Sequence, residues 1–197
     1  MKKELQVYLG GDILSAGANL LRDIQRDEIN SISGIKCYSP LDDESINDKA
    51  NAKQEGLAER ILQNDYYAMY NSDVYTFDVE NTAVGTVNEI GIILGMKRQA
   101  EETLKHLDKV KKKYSSLNNE DKELYEFNQK LVDRPVFCYC SDLRQGHGKP
   151  YLDPDRAEYS INQFLLGSVL ALTNGGGLIS WEEVKERLAV LGSEDNV

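Results

Sequence analysis

One carboxylate, Glu89, lies in the glycine-spaced segment VGTVNEIG at the start of a predicted helix. An ionised carboxylate there can attack an electrophilic sugar carbon as positive charge develops on it, the covalent step of many glycosyl transfers. Gly85 and Gly91 would leave room for a sugar beside it. The spacing also fits a structural role, because Thr86 followed three residues later by a glutamate forms a capping box. The first helical turn would place the carboxylate at the positive end of the helix dipole and favour its ionised form.

Four residues at the end of the first predicted strand are further candidates for the same site. Tyr8 lies in the run LQVYLGG, either as a core tyrosine or as a polar contact near a ligand. Gly10 and Gly11 either form the turn or let a ligand approach the backbone. Asp12 follows them and either caps the turn or points into a site. The residues alone leave each of these alternatives open.

Later segments of the chain supply more polar candidates. Asp65 lies late in a predicted helix, eight residues before the strand-like DVYTFDV, and is either solvated or part of a site. Asn81 lies in the loop after that strand. Asn162 opens an apolar helix, where it is an N-cap, a surface amide or a ligand contact. Arg144 is either a loop cation or half of a surface salt bridge.

The elements that must position these residues alternate along the chain. Short β-branched and aromatic runs are followed by segments of helical periodicity, which predicts an α/β fold with a parallel sheet of about five strands. Ligand sites in such sheets lie beyond the carboxyl ends of the strands. The loops after Leu9, Val79 and Cys140 are therefore expected to meet. Residues 101–133, almost all polar or charged at helical spacing, are expected to form a charged helical hairpin or insertion on the surface.

Composition narrows the class of ligand. The 197 residues carry a formal net charge of −10, which disfavours nucleic acid as a partner. The lysine-dense stretch 105–116 is followed by acidic residues and is interpreted as a solvated helix face. Neither G-x-G-x-x-G nor G-x-x-x-x-G-K-[ST] occurs, so no dinucleotide or nucleoside triphosphate is expected. A neutral small substrate and no cofactor fit this chain best.

Neither a metal site nor a membrane span is indicated. Cys138 and Cys140 lie in a strand-like run, and His106 and His147 are too scattered to complete a ligand set. Reduced, buried thiols are expected. No apolar run approaches the ~20 residues of a membrane span, and the first ten residues show no apolar signal core. We expect one cytoplasmic domain over residues 1–197, with no bound metal.

Five stretches, in this order, resemble the nucleoside 2-deoxyribosyltransferase family: VYLGG, SPLD, NDYYAMYNSDVYTFDV, VGTVNEIG and NQFLLG. Together they cover most of the chain except residues 101–133. The resemblance implies a flavodoxin-like three-layer sandwich that assembles as a homo-oligomer, with sites completed by a neighbouring subunit. It implies transfer of 2-deoxyribose between nucleobases through a covalent deoxyribosyl–enzyme intermediate. Deoxynucleoside and nucleobase would be the ligands, with no nucleic acid or membrane as partner.

The resemblance also implies roles for individual residues. Glu89 would be the nucleophile, Tyr8 would position its carboxylate, and Asp65 would hold the sugar hydroxyls. Asn162 would reach the substrate from a neighbouring subunit. Residues of the surrounding loops and helix start are expected to contact the substrate: Gly10, Gly11, Asp12, Asn81 and Gly85.

One position departs from the family pattern. The family has an aspartate six residues before the nucleophile that contacts the base and helps to protonate the leaving group, whereas this chain has Ala83 there. A methyl group cannot donate a proton. Glu80, Asn81 or a water would have to replace it, or base exchange would be slow or altered in specificity.

Three functions follow as hypotheses. Deoxyribosyl transfer is the first. The alternative in the same chemistry is hydrolysis of a deoxynucleoside or its 5′-monophosphate, for which Ser15, Arg144 and the glycine turns are the candidate phosphate donors. A non-catalytic nucleoside- or nucleotide-sensing module is the alternative from a different class, and Ala83 is the residue that favours it.

Overall fold

The computed structural model describes residues 4–47, 53–142 and 161–193. Four parallel strands form one sheet in the order β2-β1-β3-β4. They are β1 Leu5–Gly10, β2 Ile35–Tyr38, β3 Val74–Asp78 and β4 Val136–Tyr139. An isolated parallel bridge between Cys138 and Leu178 adds the beginning of a fifth strand beside β4. The predicted α/β fold with a parallel sheet is confirmed.

The helices of the described residues pack on both faces of this sheet. In chain order they are α1 Ala16–Asn30, α2 Glu44–Asn47, α3 Leu57–Asn71, α4 Val84–Tyr114, α5 Asn119–Asp133, α6 Gln163–Leu172 and α7 Trp181–Ser193. One face is covered by α3, α4 and α6, whose apolar residues pack with Tyr8, Tyr75 and Phe77. The other face is covered by α1 and α7, which pack with Val7 and Leu9. Because alternate strand residues point to opposite faces, each strand contributes to both cores of a three-layer sandwich.

The predicted helical hairpin is present and begins earlier than residue 101. Helix α4 continues without interruption for 31 residues from Val84 to Tyr114. Ser115 then adopts a left-handed conformation, with φ of 62°, and reverses the chain. Asn118 caps α5 by accepting a hydrogen bond from the Asp121 backbone N–H at 2.7 Å. The charged segment is therefore the outer part of a helix whose inner part covers the sheet.

The polar segment after β2 is partly helical. Residues Pro40–Asp42 form a 3-10 turn, and α2 follows it. The Asp43 carboxylate accepts a hydrogen bond from the Ser45 backbone N–H at 3.0 Å, and Ile46 is buried. A side-chain cap and one buried apolar residue are enough to order this polar segment.

The remaining expectations concern thiols, metals and membranes. Cys37, Cys138 and Cys140 are buried thiols, as predicted. No group of three or more His, Cys, Asp or Glu side chains in the described ranges is arranged to hold a metal ion. Over the same residues, no helix combines the length and hydrophobicity that crossing a membrane requires.

Candidate active site

The candidate site lies where the strand order reverses. The chain passes from β1 to β2 on one side and then returns to place β3 on the other side of β1. Gly10, the last residue of β1, pairs in register with Phe77 near the carboxyl end of β3. Ligands of open α/β sheets bind at such a reversal. Helix α4 begins just after β3 and brings Glu89 over this edge.

The Glu89 carboxyl group has one hydrogen-bond donor in the described structure. The Tyr8 hydroxyl donates to Glu89 Oε1 at 2.9 Å. Oε2 is buried and has no hydrogen-bond partner among the described residues. The fully buried Tyr8 ring stacks on Tyr38, with centroids 5.7 Å apart, and contacts Phe77 at 6.2 Å. A rigid phenol therefore orients the carboxylate and leaves its second oxygen available.

Gly10, at the end of β1, and Gly11, directly after it, make room for other side chains of the same chain. A Cβ added at Gly10 would lie 2.6 Å from the Phe77 ring and 2.7 Å from Glu89 Oε2. One added at Gly11 would lie 2.6 Å from the Arg22 guanidinium. Gly10 is thus required for the close approach of the Glu89 carboxyl group, a role beyond the turn and ligand alternatives that the sequence offered.

Two expectations about Glu89 are wrong. Helix α4 begins at Val84 after Ala83 and has no side-chain cap, so Thr86 and Glu89 do not form a capping box. Glu89 is consequently in the second helical turn, beyond the strongest effect of the dipole. Burial raises the pKa of Glu89 to about 7, the charge of Asp65 raises it too, and the Tyr8 hydrogen bond opposes the rise. The environment favours the protonated form, so about half of this group is ionised near neutral pH.

Asp65 supplies a second incompletely satisfied carboxyl group. It lies on α3, and its Oδ1 is buried without a hydrogen-bond partner in the described part of the chain. Burial raises the pKa of Asp65 to about 6, and the negative charge of Asp43 contributes. Asp65 in turn raises the pKa values of Glu89 and Tyr8, which places these three groups within electrostatic range of one another.

The other predicted site residues have structural contacts or open surroundings. Asp12 Oδ1 accepts a hydrogen bond from the Leu14 backbone N–H at 3.2 Å, the turn-capping alternative. A Cβ at Gly85 would meet nothing within 4 Å, so no close approach requires glycine there. Arg144 lies outside the described residues. Ser15 caps α1 by accepting from the Ala18 backbone N–H at 3.1 Å.

Asn81 and Asn162 tie two segments together. Asn81 Oδ1 accepts a hydrogen bond from the Asn162 backbone N–H at 2.9 Å. The Asn162 side chain caps α6, accepting from the backbone N–H groups of Phe164 and Leu165 at 2.9 and 3.3 Å. Within the subunit, these amides therefore hold the start of α6 against the loop after β3.

Ala83 is buried at the start of α4. Three residues earlier, the Glu80 carboxylate accepts a hydrogen bond from the Ser141 hydroxyl at 2.8 Å. The Ser141 backbone N–H donates to Asp78 Oδ1, also at 2.8 Å. The loops after β3 and β4 are joined by these bonds, which hold Glu80 at the carboxyl edge of the sheet.

Sequence reasoning missed Tyr38 and Arg22. Tyr38 ends β2 beside Tyr8, and its pKa is raised by burial and then by Asp65, with a smaller effect from Glu89. An aromatic residue directly before the SPLD stretch was the available signal. Arg22 and Gln25 are buried on α1 together with Ile29. Polar residues at the core spacing of an amphipathic helix were the signal for that network.

Comparison with known proteins shows shared architecture. No family model matches the chain. An uncharacterised protein of Ureaplasma parvum serovar 3 is 23% identical over 113 residues, which are 53% of this chain and 69% of that protein. A conserved protein of Enterococcus faecalis V583 has a TM-score of 0.61 at 16% identity, over 95% of this chain and 99% of that one. A 2-deoxyribosyltransferase of Bacillus psychrosaccharolyticus has a TM-score of 0.49 at 12% identity, over 91% and 90% of the two chains. At its level of identity, the Enterococcus structure shows a shared fold alone.

Proposed function

We propose that this protein transfers 2-deoxyribose from one nucleobase to another through a covalent ester on Glu89. The observation that carries the proposal is the state of the Glu89 carboxyl group. One oxygen is held by Tyr8, and the other is buried and unpaired among the described residues. A desolvated carboxylate with an unoccupied oxygen, at the edge where α/β sheets bind ligands, is suited to nucleophilic attack on a sugar carbon.

The chemistry proceeds in two displacements. Glu89 Oε2 attacks C1′ of the deoxynucleoside as the N-glycosidic bond breaks, and the departing base takes the bonding electrons and a proton. A nitrogen of the second base then attacks C1′ and returns a proton to the group that protonated the first base, and the ester bond breaks to restore the carboxylate. Two inversions return the sugar to its original configuration. Without a 2′-hydroxyl the developing sugar cation is less destabilised, so a carboxylate suffices as nucleophile.

We assign to Asp65 the role of binding a hydroxyl group of the sugar. Its unpaired Oδ1 is an acceptor for a sugar hydroxyl, which would supply the hydrogen bond that the described structure lacks. A buried acceptor left unpaired costs about 1–3 kcal/mol, so its pairing with substrate contributes binding energy.

Glu80 is the acid we assign to the departing base. Ala83 offers no proton, and Glu80 is the carboxyl group of the same loop, anchored by Ser141. If it protonates the base, Glu80→Gln slows transfer from poor leaving groups more than from bases that leave readily. An equal slowing for all bases would contradict this assignment.

A homo-oligomer is part of the proposal. Phe164, beside Asn162 at the start of α6, is 87% exposed, and Val84 at the start of α4 is 76% exposed. Large apolar side chains exposed near a site are typical of surfaces that another chain covers. Light scattering should give a mass above that of one chain, and Phe164→Glu should reduce it. A monomeric wild-type protein would contradict this part.

The decisive experiment combines product analysis with mass spectrometry. With a 2′-deoxynucleoside and a different base, the wild-type protein should form the exchanged nucleoside and carry one deoxyribosyl group on the peptide containing Glu89. Glu89→Gln should abolish both, whereas Glu102→Gln, an exposed glutamate on the same helix, should leave both unchanged. Free deoxyribose without exchange would show a hydrolase, and tight binding without turnover would show a sensing module.

A further inference from the structure

A cavity lies at the edge of the sheet opposite to the candidate active site. Its volume is about 490 Å³, and its walls come from α4, the end of α5, the start of β4, the end of α6 and α7. Glu89 lies over the carboxyl ends of the strands, whereas this cavity surrounds the amino end of β4. The volume falls within the range of small-molecule sites in proteins. None of the proposed catalytic residues contributes to it.

The charged groups of this cavity are mostly positive although the chain has a net charge of −10. Four cations and two carboxylates line it: Lys97, Arg98, Arg134, Arg187, Glu101 and Asp133. In the described structure, Lys97, Arg98 and Arg134 form no ion pair with a carboxylate. Arg187 pairs with Glu183 at 2.6 Å, outside the cavity wall. With four cations against two carboxylates, the cavity wall carries an excess of positive charge.

Lys97 and Arg134 are neighbouring cations bonded to neutral groups. Lys97 Nζ donates to the backbone carbonyls of Val132 and Arg134 at 2.7 and 2.5 Å. The Arg134 guanidinium donates to the Tyr70 carbonyl at 2.7 Å and to the Tyr75 hydroxyl at 3.0 Å. Burial lowers the pKa of Lys97 to about 8. The charge of Arg134 adds to this effect, and the charges of Asp133 and Glu101 oppose it. A bound anion would relieve the repulsion between them.

Apolar groups form the rest of the wall. Leu94, Pro135 and Phe137 contribute carbon surface beside the cations. The Arg187 guanidinium lies 5.7 Å from the centre of the Phe137 ring. A ligand that combines an anionic group with an apolar or planar body would use both parts of the wall.

We propose that this cavity binds a small phosphorylated molecule, with its phosphate among Lys97, Arg98 and Arg134 and its apolar part against Phe137. Phosphate is favoured because guanidinium groups bind its oxygens in pairs and an ammonium adds a point charge. The site lies away from the edge where the chemistry is proposed, so its ligand is an effector and not the nucleoside substrate.

Titration calorimetry with phenyl phosphate tests the proposal. The wild-type protein should bind it with a dissociation constant at or below about 1 mM, and phenol should not bind. Arg98→Gln removes an exposed charge that makes no hydrogen bond in the described structure, and it should weaken binding roughly tenfold. Lys97→Met should weaken it at least as much, with circular dichroism confirming that the variant folds. Lys105→Gln, two turns further along α4, should bind as the wild type does.

Further binding measurements distinguish a failure of this proposed site from a failure of the proposed active site. Glu89→Gln should bind phenyl phosphate as the wild type does, even if the protein has no transferase activity. Inorganic phosphate should bind more weakly than phenyl phosphate, because it does not use the apolar wall. Absence of saturable binding, or full binding by both Arg98→Gln and Lys97→Met, would overturn the proposal. Equal affinity for the two phosphates would overturn the assignment of Phe137.

The pH dependence gives an independent readout. Phenyl phosphate is a dianion above its second pKa of about 6, so its charge is constant between pH 7 and 9. Lys97 loses its proton in that interval. The charged groups around it are Glu101 on its own helix, Asp133 and Arg134 at the end of α5, and Arg187 on α7. Affinity should therefore fall as pH rises from 7 to 9, and unchanged affinity would exclude Lys97 from the site.

Discussion

Two acidic side chains near the end of β3 have opposite surroundings. Asp78 is buried, and Arg22 donates to its Oδ2 while the Ser141 backbone N–H donates to its Oδ1. Arg22 also donates to the Tyr139 hydroxyl at 2.5 Å. Glu89, eleven residues further along the chain, has one neutral donor and a buried oxygen without a partner in the described structure.

The two carboxylates differ in whether the fold compensates their charge. Asp78 shows that the fold provides a guanidinium to compensate a buried carboxylate at this edge of the sheet. At Glu89 it provides only a phenol, and the pKa rises to about 7. An uncompensated carboxylate costs stability, so its presence points to a use that a paired carboxylate could not serve.

Breaking the compensated pair should have the largest effect on stability. Asp78→Asn leaves the Arg22 charge buried without its partner, and we expect the free energy of unfolding to fall by about 3–5 kcal/mol. Urea denaturation followed by circular dichroism measures this loss. Glu102→Gln, which removes one member of an exposed pair with Lys105, should leave the transition unchanged. If Asp78→Asn lowers the free energy of unfolding no more than this control does, the contrast between Asp78 and Glu89 is wrong.

Neutralising the uncompensated Glu89 carboxylate should increase the stability of the protein, the opposite of the effect at Asp78. Glu89→Gln imitates the protonated acid. Because the folded pKa of about 7 exceeds the usual value of 4.5, protons bind the folded state more tightly, and the wild type loses stability as pH rises between these values. At pH 8 we expect the variant to be more stable than the wild type by roughly 2–3 kcal/mol.

The control for this prediction is the same pair of proteins at low pH. Below pH 4.5 the carboxyl group is protonated in both the folded and the unfolded state, so the two curves should meet. Asp65, with its pKa raised to about 6, gives a smaller loss of the same sign, and that loss persists in the variant. A constant difference across the pH range would show that the Glu89 charge is not what destabilises the fold.

Replacing the glycine beside this carboxyl group should have an intermediate effect. In Gly10→Ala the new methyl group meets the Phe77 ring and Glu89 Oε2, so we expect a loss of about 1–3 kcal/mol in stability. Gly95→Ala adds a methyl group to exposed α4, where nothing lies within 4 Å, and should gain about 0.5–1 kcal/mol. Thermal denaturation distinguishes them, and similar behaviour would show that Gly10 does not make room for the carboxyl group.

The periodicity of the sequence was sufficient to predict the architecture of the fold. The alternation of strands and helices predicted the parallel sheet, and the helical periodicity of residues 101–133 predicted the hairpin, because both depend on local patterns of apolar and polar residues. The capping box considered at the start of α4 is absent. Thr86 has the residue type of a cap, but it is buried in the helix, and packing against β3 outweighs the local preference.

The candidate site was predictable only in part. Glu89, Tyr8 and Asp65 were candidates from the residues themselves, and the resemblance implied their roles. The structure brings them within electrostatic range of one another. The raised pKa of Glu89 was not predictable, because it depends on burial by residues distant in the chain. The pairing of Arg22 with Asp78 spans 56 positions, and nothing in either local sequence indicates the partner.

The smallest expected effect comes from removing the Tyr8 hydroxyl, the one hydrogen-bond donor to Glu89 in the described structure. The Tyr8 hydrogen bond lowers the pKa of Glu89, so Tyr8→Phe should raise it further, by about one unit. Carbon-13 NMR titration of the glutamate carboxyl group measures this without requiring activity, and the pH profile of kcat/KM should move upward in parallel. The Tyr38 ring stacks on Tyr8, and its hydroxyl makes no hydrogen bond to Glu89 in the described structure. In Tyr38→Phe, the titration midpoint of Glu89 should therefore stay close to that of the wild type. Equal shifts in the two variants would mean that general polarity, and not the directed Tyr8 bond, sets the ionisation of the carboxylate.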